Sequence, residues 1–177
     1  MSWRRAAPWL VSFALLAALG AGALDGLGGG GGGAGGAHPG ARMEAVVTRV
    51  VDGDTIHARV DGRDERVRYI GMDTPETVKP NTPVQCYGEA ASAANRRLVA
   101  GTRVELHLGA ETRDRYGRLL AYVYRRRDGL FVNAALVRGG FARTLTIPPN
   151  DEHAGELGAL ERRARARRRG LWAACAA

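Results

Sequence analysis

Two short alternating segments joined by a tight-turn signal constrain this chain more than anything else in it. Thr55-Ile-His-Ala-Arg-Val60 and Arg66-Val-Arg-Tyr-Ile70 carry apolar residues at every second position, and Asp61-Gly62 lies between them. A period of two gives each segment one apolar face, and Asp-Gly is a strong signal for a two-residue hairpin turn. Residues 45–51 form a third, valine-rich segment broken by Asp52-Gly53. Three antiparallel strands are the natural reading.

Two more strands are expected over 102–108 and 119–125; in the first, Val104, Leu106 and Leu108 alternate with Arg103, Glu105 and His107. Helices are expected over 87–100, stopped by Gly101, and over 130–138, stopped by Gly139-Gly140. A third runs from Asn150 to about Arg169, with Asn150 as N-cap, Asp151 and Glu152 in its first turn and six arginines between 162 and 169 at its dipole's negative end. The proline-rich residues 75–83 and the charged residues 111–118 read as loops. The order strand, strand, strand, helix, strand, strand, helix, helix belongs to an α+β fold dominated by a barrel: a five-stranded OB-type barrel with three helices. Such barrels commonly bind single-stranded nucleic acid on one face, yet fold alone does not fix function.

Ahead of this domain, Arg4-Arg5 precede a charge-free apolar stretch that ends in small residues, so residues 1–25 read as a signal peptide. The alternative is an uncleaved membrane anchor, the stretch being about the shortest that spans a bilayer. Residues 26–41 are nearly all glycine and read as a flexible linker, leaving 42–177 as one domain of ordinary size. Of the net charge of +8, Arg4, Arg5 and Asp25 supply +1, so the domain itself carries +7. A basic domain favours polyanions, although the same charge also serves solubility. The protein is expected to be secreted, cell-surface or periplasmic, touching a membrane only through an uncleaved leader. In an exported protein two cysteines favour a Cys86–Cys175 disulfide; otherwise Cys86 is a buried thiol and Cys175 lies in a frayed tail.

The chemistry concentrates at the hairpin's open end. Asp54 begins the second strand and Asp73 follows the third, so the turn at Asp61-Gly62 brings both to one edge. Two carboxylates there, with the Thr74 carbonyl and water, suit Ca²⁺ and not a soft metal; the four histidines have no zinc-ligand spacing. Taken alone, Asp52 and Asp54 also read as turn-shaping residues. Glu76 stands beside the pair as a general base for water, or as a solvated loop residue. Arg68 is five residues from Asp73, an odd spacing that sets them on opposite faces unless the strand bends near Gly71. Arg118 stands where a turn aims it inward, and two guanidiniums match a phosphate whose charge grows in the transition state.

Taken together, Val51-Asp-Gly-Asp-Thr55, Arg68 to Asp73-Thr-Pro-Glu76, Cys86-Tyr-Gly-Glu-Ala90, Asp114-Arg-Tyr-Gly-Arg118 and Val132-Asn-Ala-Ala-Leu-Val-Arg-Gly-Gly140 resemble the staphylococcal nuclease family in order and spacing. The resemblance implies Ca²⁺ held by Asp54, Asp73 and the Thr74 carbonyl, with Asp52 behind them. It implies Glu76 as the base that activates water, and Arg68 and Arg118 as a phosphate clamp in which Arg118 protonates the leaving oxygen or stabilises its charge. Arg115 and Tyr116 become contacts to phosphate and sugar. The reaction implied is hydrolysis of DNA and RNA, single-stranded or denatured strands favoured, to 3′-phosphate ends, by a monomer with no stable protein partner. Where the family pattern has two tyrosines before the last helix, this chain has Arg143-Thr-Leu-Thr-Ile147-Pro-Pro, so base preference is left open. The competing expectation is a catalytically silent OB-type module that binds nucleic acid or protein.

Overall fold

The hairpin is the first part of a closed barrel. β2 (Thr55–Val60) and β3 (Arg63–Tyr69) pair antiparallel with Thr55 opposite Arg68 and Val60 opposite Arg63. The intervening turn has φ of 47° at Asp61 and 78° at Gly62, the two positive values of a type I′ turn. β1 (Arg42–Val50) pairs with β2 on one side and with β5 (Arg103–Arg113) on the other, and β5 continues to β6 (Leu119–Arg125). Parallel pairing of β3 with β6 closes the circuit, so β1, β2, β3, β5 and β6 make a five-stranded OB-type barrel. The computed structural model describes residues 36–77 and 83–175; the expected leader, 1–25, and most of the expected linker, 26–41, lie outside them. No helix among the described residues is long and apolar enough to cross a membrane.

Alternation fills the interior. Ile56, Ala58, Val67, Leu106, Leu119 and Val123 are buried at every second strand position. Each aliphatic side chain of this size contributes about 1.5–3 kcal/mol when fully buried. Helices α1 (Gly88–Val99), α2 (Val132–Arg138) and α3 (Ala154–Ala166) cover the barrel, with Leu136, Val137, Leu157 and Leu160 in the same core. Asn133 of α2 is completely buried; its side chain accepts from the Val123 N–H at 3.0 Å and donates to the Ile70 carbonyl at 2.9 Å. One polar side chain thus ties α2 to β6 and to the end of β3.

The expected order needs correction in four places. Beyond Ile70 the chain turns at Gly71, with φ of 79°, into a short strand β4 (Gly71–Asp73), which pairs with β8 (Arg143–Leu145). A Cβ on Gly71 would lie 2.5 Å from the Leu157 side chain, so this bend needs glycine on both counts. β5 runs on through an irregular stretch to Arg113, where a loop was expected. Leu130 and Phe131 form a strand, β7 (Leu130–Phe131), along the end of β6 before α2 starts. Four helices are described where three were expected, because Gly170, with φ of 57°, separates α3 from the short α4 (Leu171–Ala174). Asn150 is also not an N-cap: α3 begins after His153, and the buried Asn150 amide accepts from Glu111 N–H and donates to Glu111 C=O, both at 2.9 Å.

The expected disulfide is present. Cys86 and Cys175 are bonded with Cα atoms 6.0 Å apart, which fastens the residue after α4 to the segment entering α1.

Candidate active site

The hairpin's open end holds the carboxylates because its loop is folded onto itself. Asp52 accepts the Asp54 N–H at 3.0 Å, while its own carbonyl accepts from the fully buried Asn95 of α1 at 3.0 Å. Asn95 in turn accepts from the Tyr69 hydroxyl at 3.0 Å, and burial pushes that phenol's pKa far up, keeping it a donor. Gly53 lets Thr74 approach this loop: a Cβ there would fall 2.6–2.7 Å from the Thr74 side chain. Thr74 consequently donates to Asp54 Oδ2 twice, from its N–H at 2.8 Å and its hydroxyl at 2.9 Å. Asp54 Oδ1 accepts from the Thr55 hydroxyl at 3.1 Å and faces Arg68 Nε at 3.2 Å.

The bend at Gly71 resolves the odd spacing of Arg68 and Asp73. Arg68 Nη2 donates to Asp73 at 2.8 Å, and Nη1 donates to the Tyr69 and Met72 carbonyls at 2.7 and 2.8 Å. Two N–H groups at Nη1 and one at Nη2 are thereby bonded to named acceptors, while Nε is in ion-pair contact with Asp54. Glu76 is placed by Gln85, whose side chain accepts the Glu76 N–H at 2.9 Å and whose N–H donates to the Glu76 carbonyl at 2.9 Å. The Thr77 N–H orients the Glu76 carboxylate at 2.8 Å.

Arg118 stands just before β6, the strand that pairs in parallel with β3. Asp114 accepts its backbone N–H at 3.0 Å, its Nε at 2.7 Å and its Nη2 at 2.6 Å, and also accepts the Tyr116 N–H at 2.9 Å. Burial opposes ionisation of Asp114, but the bonds from Arg118 and Tyr116 prevail and hold its pKa below the ordinary range. Arg115 and the 67% exposed Tyr116 sit on the rim, with the Arg115 and Arg118 guanidinium carbons 4.9 and 5.5 Å from the Tyr116 ring centre.

One cavity of about 380 Å³ is lined by Asp52, Asp54, Arg68, Asp73, Thr74, Glu76 and Arg118, which brings together the acids and arginines read from the sequence. Arg115 and Tyr116 lie outside its lining. Asn95, Tyr69, Gln85 and Asp114 were not singled out from the sequence. Only Asp114 had a local signal there, as the first residue of an Asp-x-x-Gly turn.

Two acids of the cavity are held above the ordinary carboxylate range, chiefly by burial. Asp52 is pushed up to about 6, first by burial and then by the neighbouring Asp54 charge, against the pull of Arg68. Burial also raises Asp73; Arg68 opposes this, and Asp54 and Glu76 add to it. Among the described residues no three His, Cys, Asp or Glu side chains form a metal-holding group. A cation here would rest on two carboxylates, a carbonyl and oxygens from water or substrate. Asp54 and Asp73 already converge on one positive charge, that of Arg68, and an all-oxygen set of this kind fits a hard divalent cation.

A second cavity of about 240 Å³ shares Arg68 and Arg118; residues 69–72, Leu120, Leu145 and Ile147 give it mostly apolar walls, and Glu111, Asp114 and Asn150 also line it. Leu145 and Ile147 are 41% and 60% exposed.

Residues 66–174 match the family model described as "Staphylococcal nuclease homologue". The chain is 47% identical over 127 residues to the Thermonuclease of Staphylococcus intermedius, covering 72% of this chain and 74% of that protein. It is 40% identical over 126 residues to the Thermonuclease of Staphylococcus hyicus, with 71% and 73% covered. It is 39% identical over 132 residues to the Endonuclease YncB of Bacillus subtilis, with 73% of this chain and 62% of that protein covered.

Proposed function

The chain belongs to the staphylococcal nuclease homologue family and is a nuclease, and we propose that it is an exported, monomeric, Ca²⁺-dependent endonuclease of DNA and RNA that leaves 3′-phosphate ends. The observation that carries this reading is the meeting of Asp54, Arg68, Asp73, Glu76 and Arg118 in one cavity although Arg118 is 42 or more residues from each of the rest.

Asp54, Asp73 and the Thr74 carbonyl would hold the Ca²⁺, which when bound supplies positive charge to the phosphate oxygens. Glu76, held in place through Gln85 and Thr77, takes a proton from the attacking water. Arg68 and Arg118 donate to the phosphate oxygens as their charge grows, and Arg118 faces the leaving oxygen. Asp114 fixes Arg118 while leaving the outer part of its guanidinium open to the cavity. A single-stranded or denatured substrate is favoured, because the shared arginines lead from the acidic cavity into an adjoining one with aliphatic walls, where an unstacked base finds cover.

The test is to incubate the full chain with heat-denatured DNA in Ca²⁺ and in chelator, and to analyse the product ends. Cleavage only in Ca²⁺, leaving 3′-phosphates, is expected. Equal cleavage in chelator, or 5′-phosphate products, contradicts the reading.

A further inference from the structure

The arginine-rich end of α3 takes no part in the site just described. Arg162, Arg163, Arg165, Arg167, Arg168 and Arg169 are all exposed. Among the described residues the arginines in ion pairs are Arg68, Arg113, Arg118, Arg125, Arg126 and Arg127, and none of these six. The acid nearest them in sequence, Glu161, is engaged by the Thr144 hydroxyl. Six guanidiniums held within eight residues repel one another, and a polyanion relieves that repulsion.

This basic end connects to the active site through named neighbours. The Trp172 ring lies under two guanidiniums, with Arg143 at 5.1 Å and Arg165 at 5.3 Å from its centre. Trp172 is half-buried and its indole N–H has no hydrogen-bond partner among the described residues. The ring is therefore held by packing and by the two cations on its face. Arg143 is exposed and stands opposite Asp73 in the β4–β8 pair. It also lines a groove of about 220 Å³ together with Asp73, Thr74, Pro75, Cys86 and Leu171. From the acidic cavity a path thus runs past Asp73 and the disulfide to Arg143, across Trp172 to Arg165, and onto the end of α3.

We propose that Arg143, Trp172, Arg165 and the exposed arginines beyond them form a second binding surface for the phosphate backbone of a single-stranded polynucleotide, outside the catalytic cavity. It takes the part of the strand that extends beyond the bond being cut. This rests on the nuclease reading of the cavity, and it adds that long strands are bound by more than the catalytic cavity. Phosphates follow one another along a strand as the arginines do along this path, and each phosphate neutralised releases counterions. Arg162 and Arg165 lie one turn apart on α3 and Arg169 follows its end; none of the three lines the cavity, so they can be altered without touching its residues.

The experiment uses the full chain in chelator, which separates binding from cleavage. Fluorescence anisotropy is read with labelled oligothymidylates of about 16 and about 4 nucleotides, the range of single-strand site sizes. Changing Arg162→Gln, Arg165→Gln and Arg169→Gln together is expected to weaken the long oligomer on the order of tenfold. Its log K against log[salt] slope should flatten by about 2, near 0.7 for each phosphate that is no longer neutralised. The short oligomer's affinity, and its cleavage rate in Ca²⁺, should stay as in the parent. The corresponding triple lysine variant should restore the slope, since it keeps the charges. An unchanged slope for the long oligomer overturns the proposal, as does an equal loss on both lengths. So does a variant that loses binding only to vesicles of anionic lipid, which would assign the patch to a membrane surface. Loss of Ca²⁺-dependent cleavage in the parent protein would strike at the reading of the cavity; the binding slopes would still decide this one.

Discussion

The two walls that meet at Arg68 are built in opposite ways. On the hairpin side, Asp54, Thr74 and Arg68 are buried or nearly so and tied to one another by contacts of 2.8–3.2 Å. On the β8 side, Leu145 and Ile147 stand exposed beside the same arginine. The first wall is preorganised, with its donors and acceptors fixed before substrate arrives, as charge stabilisation in a transition state requires. The second offers apolar surface without directional bonds, which covers a base without reading its edge. On the proposed function, chemistry belongs to the first wall and affinity to the second, and substitutions separate the two.

Apart from the general base, the largest effect is expected at Arg68→Lys. An ammonium cannot span two carboxylates and two carbonyls as the guanidinium does, and kcat on denatured DNA should fall by about 10²–10³, the cost of losing one preorganised donor. A comparable change in stability, without a matching loss of kcat in the folded enzyme, is expected on removing the disulfide. Cys86→Ser with Cys175→Ser releases a crosslink between residues 89 apart, and denaturant unfolding should show a loss of about 2–4 kcal/mol.

Asp114→Asn comes next. It takes the negative charge from the bonds that hold Arg118, and hydrogen bonds to charged groups contribute about 1.5–3 kcal/mol. A fall in kcat of roughly 10- to 100-fold follows, with KM little changed. The same pair sets a pH signature. Because the folded Asp114 carboxyl is held below its ordinary value, its contribution to stability is complete above pH ~4 and is lost as pH falls through the lowered folded value. Thermal unfolding between about pH 5 and 2 should therefore decline less in Asp114→Asn than in the parent. Smallest is Ile147→Ser on the opposite wall. Stability should move by no more than about 0.5 kcal/mol at so exposed a position, and KM should rise a few-fold with kcat unchanged.

The same division explains what was legible in the sequence. The hairpin and its carboxylates follow from local patterns: alternation, Asp-Gly, and acids at both strand ends. The convergence of Arg68 with Asp73 could be read only as a condition, because it depends on a positive φ at Gly71 that alternation does not encode. Asn150 misled for the opposite reason. Its position before Asp151 and Glu152 has every local mark of a cap, yet its partner Glu111 is 39 residues away and claims both ends of the amide. Asn95 and Gln85 were silent because one sits among helix-forming alanines and the other in a polar loop; only the tertiary fold sets them against Asp52 and Glu76. β8 gave no signal either, since three residues of mixed polarity become a strand only by pairing with β4.

The central claim is that the acidic wall carries the bond-breaking step. It is tested most directly by measuring kcat and KM of Glu76→Gln on denatured DNA in Ca²⁺. The predicted result is a kcat lower by about 10²–10⁴-fold with KM nearly unchanged, as for loss of a general base. A variant that keeps its kcat, or that loses activity only through KM, would contradict it.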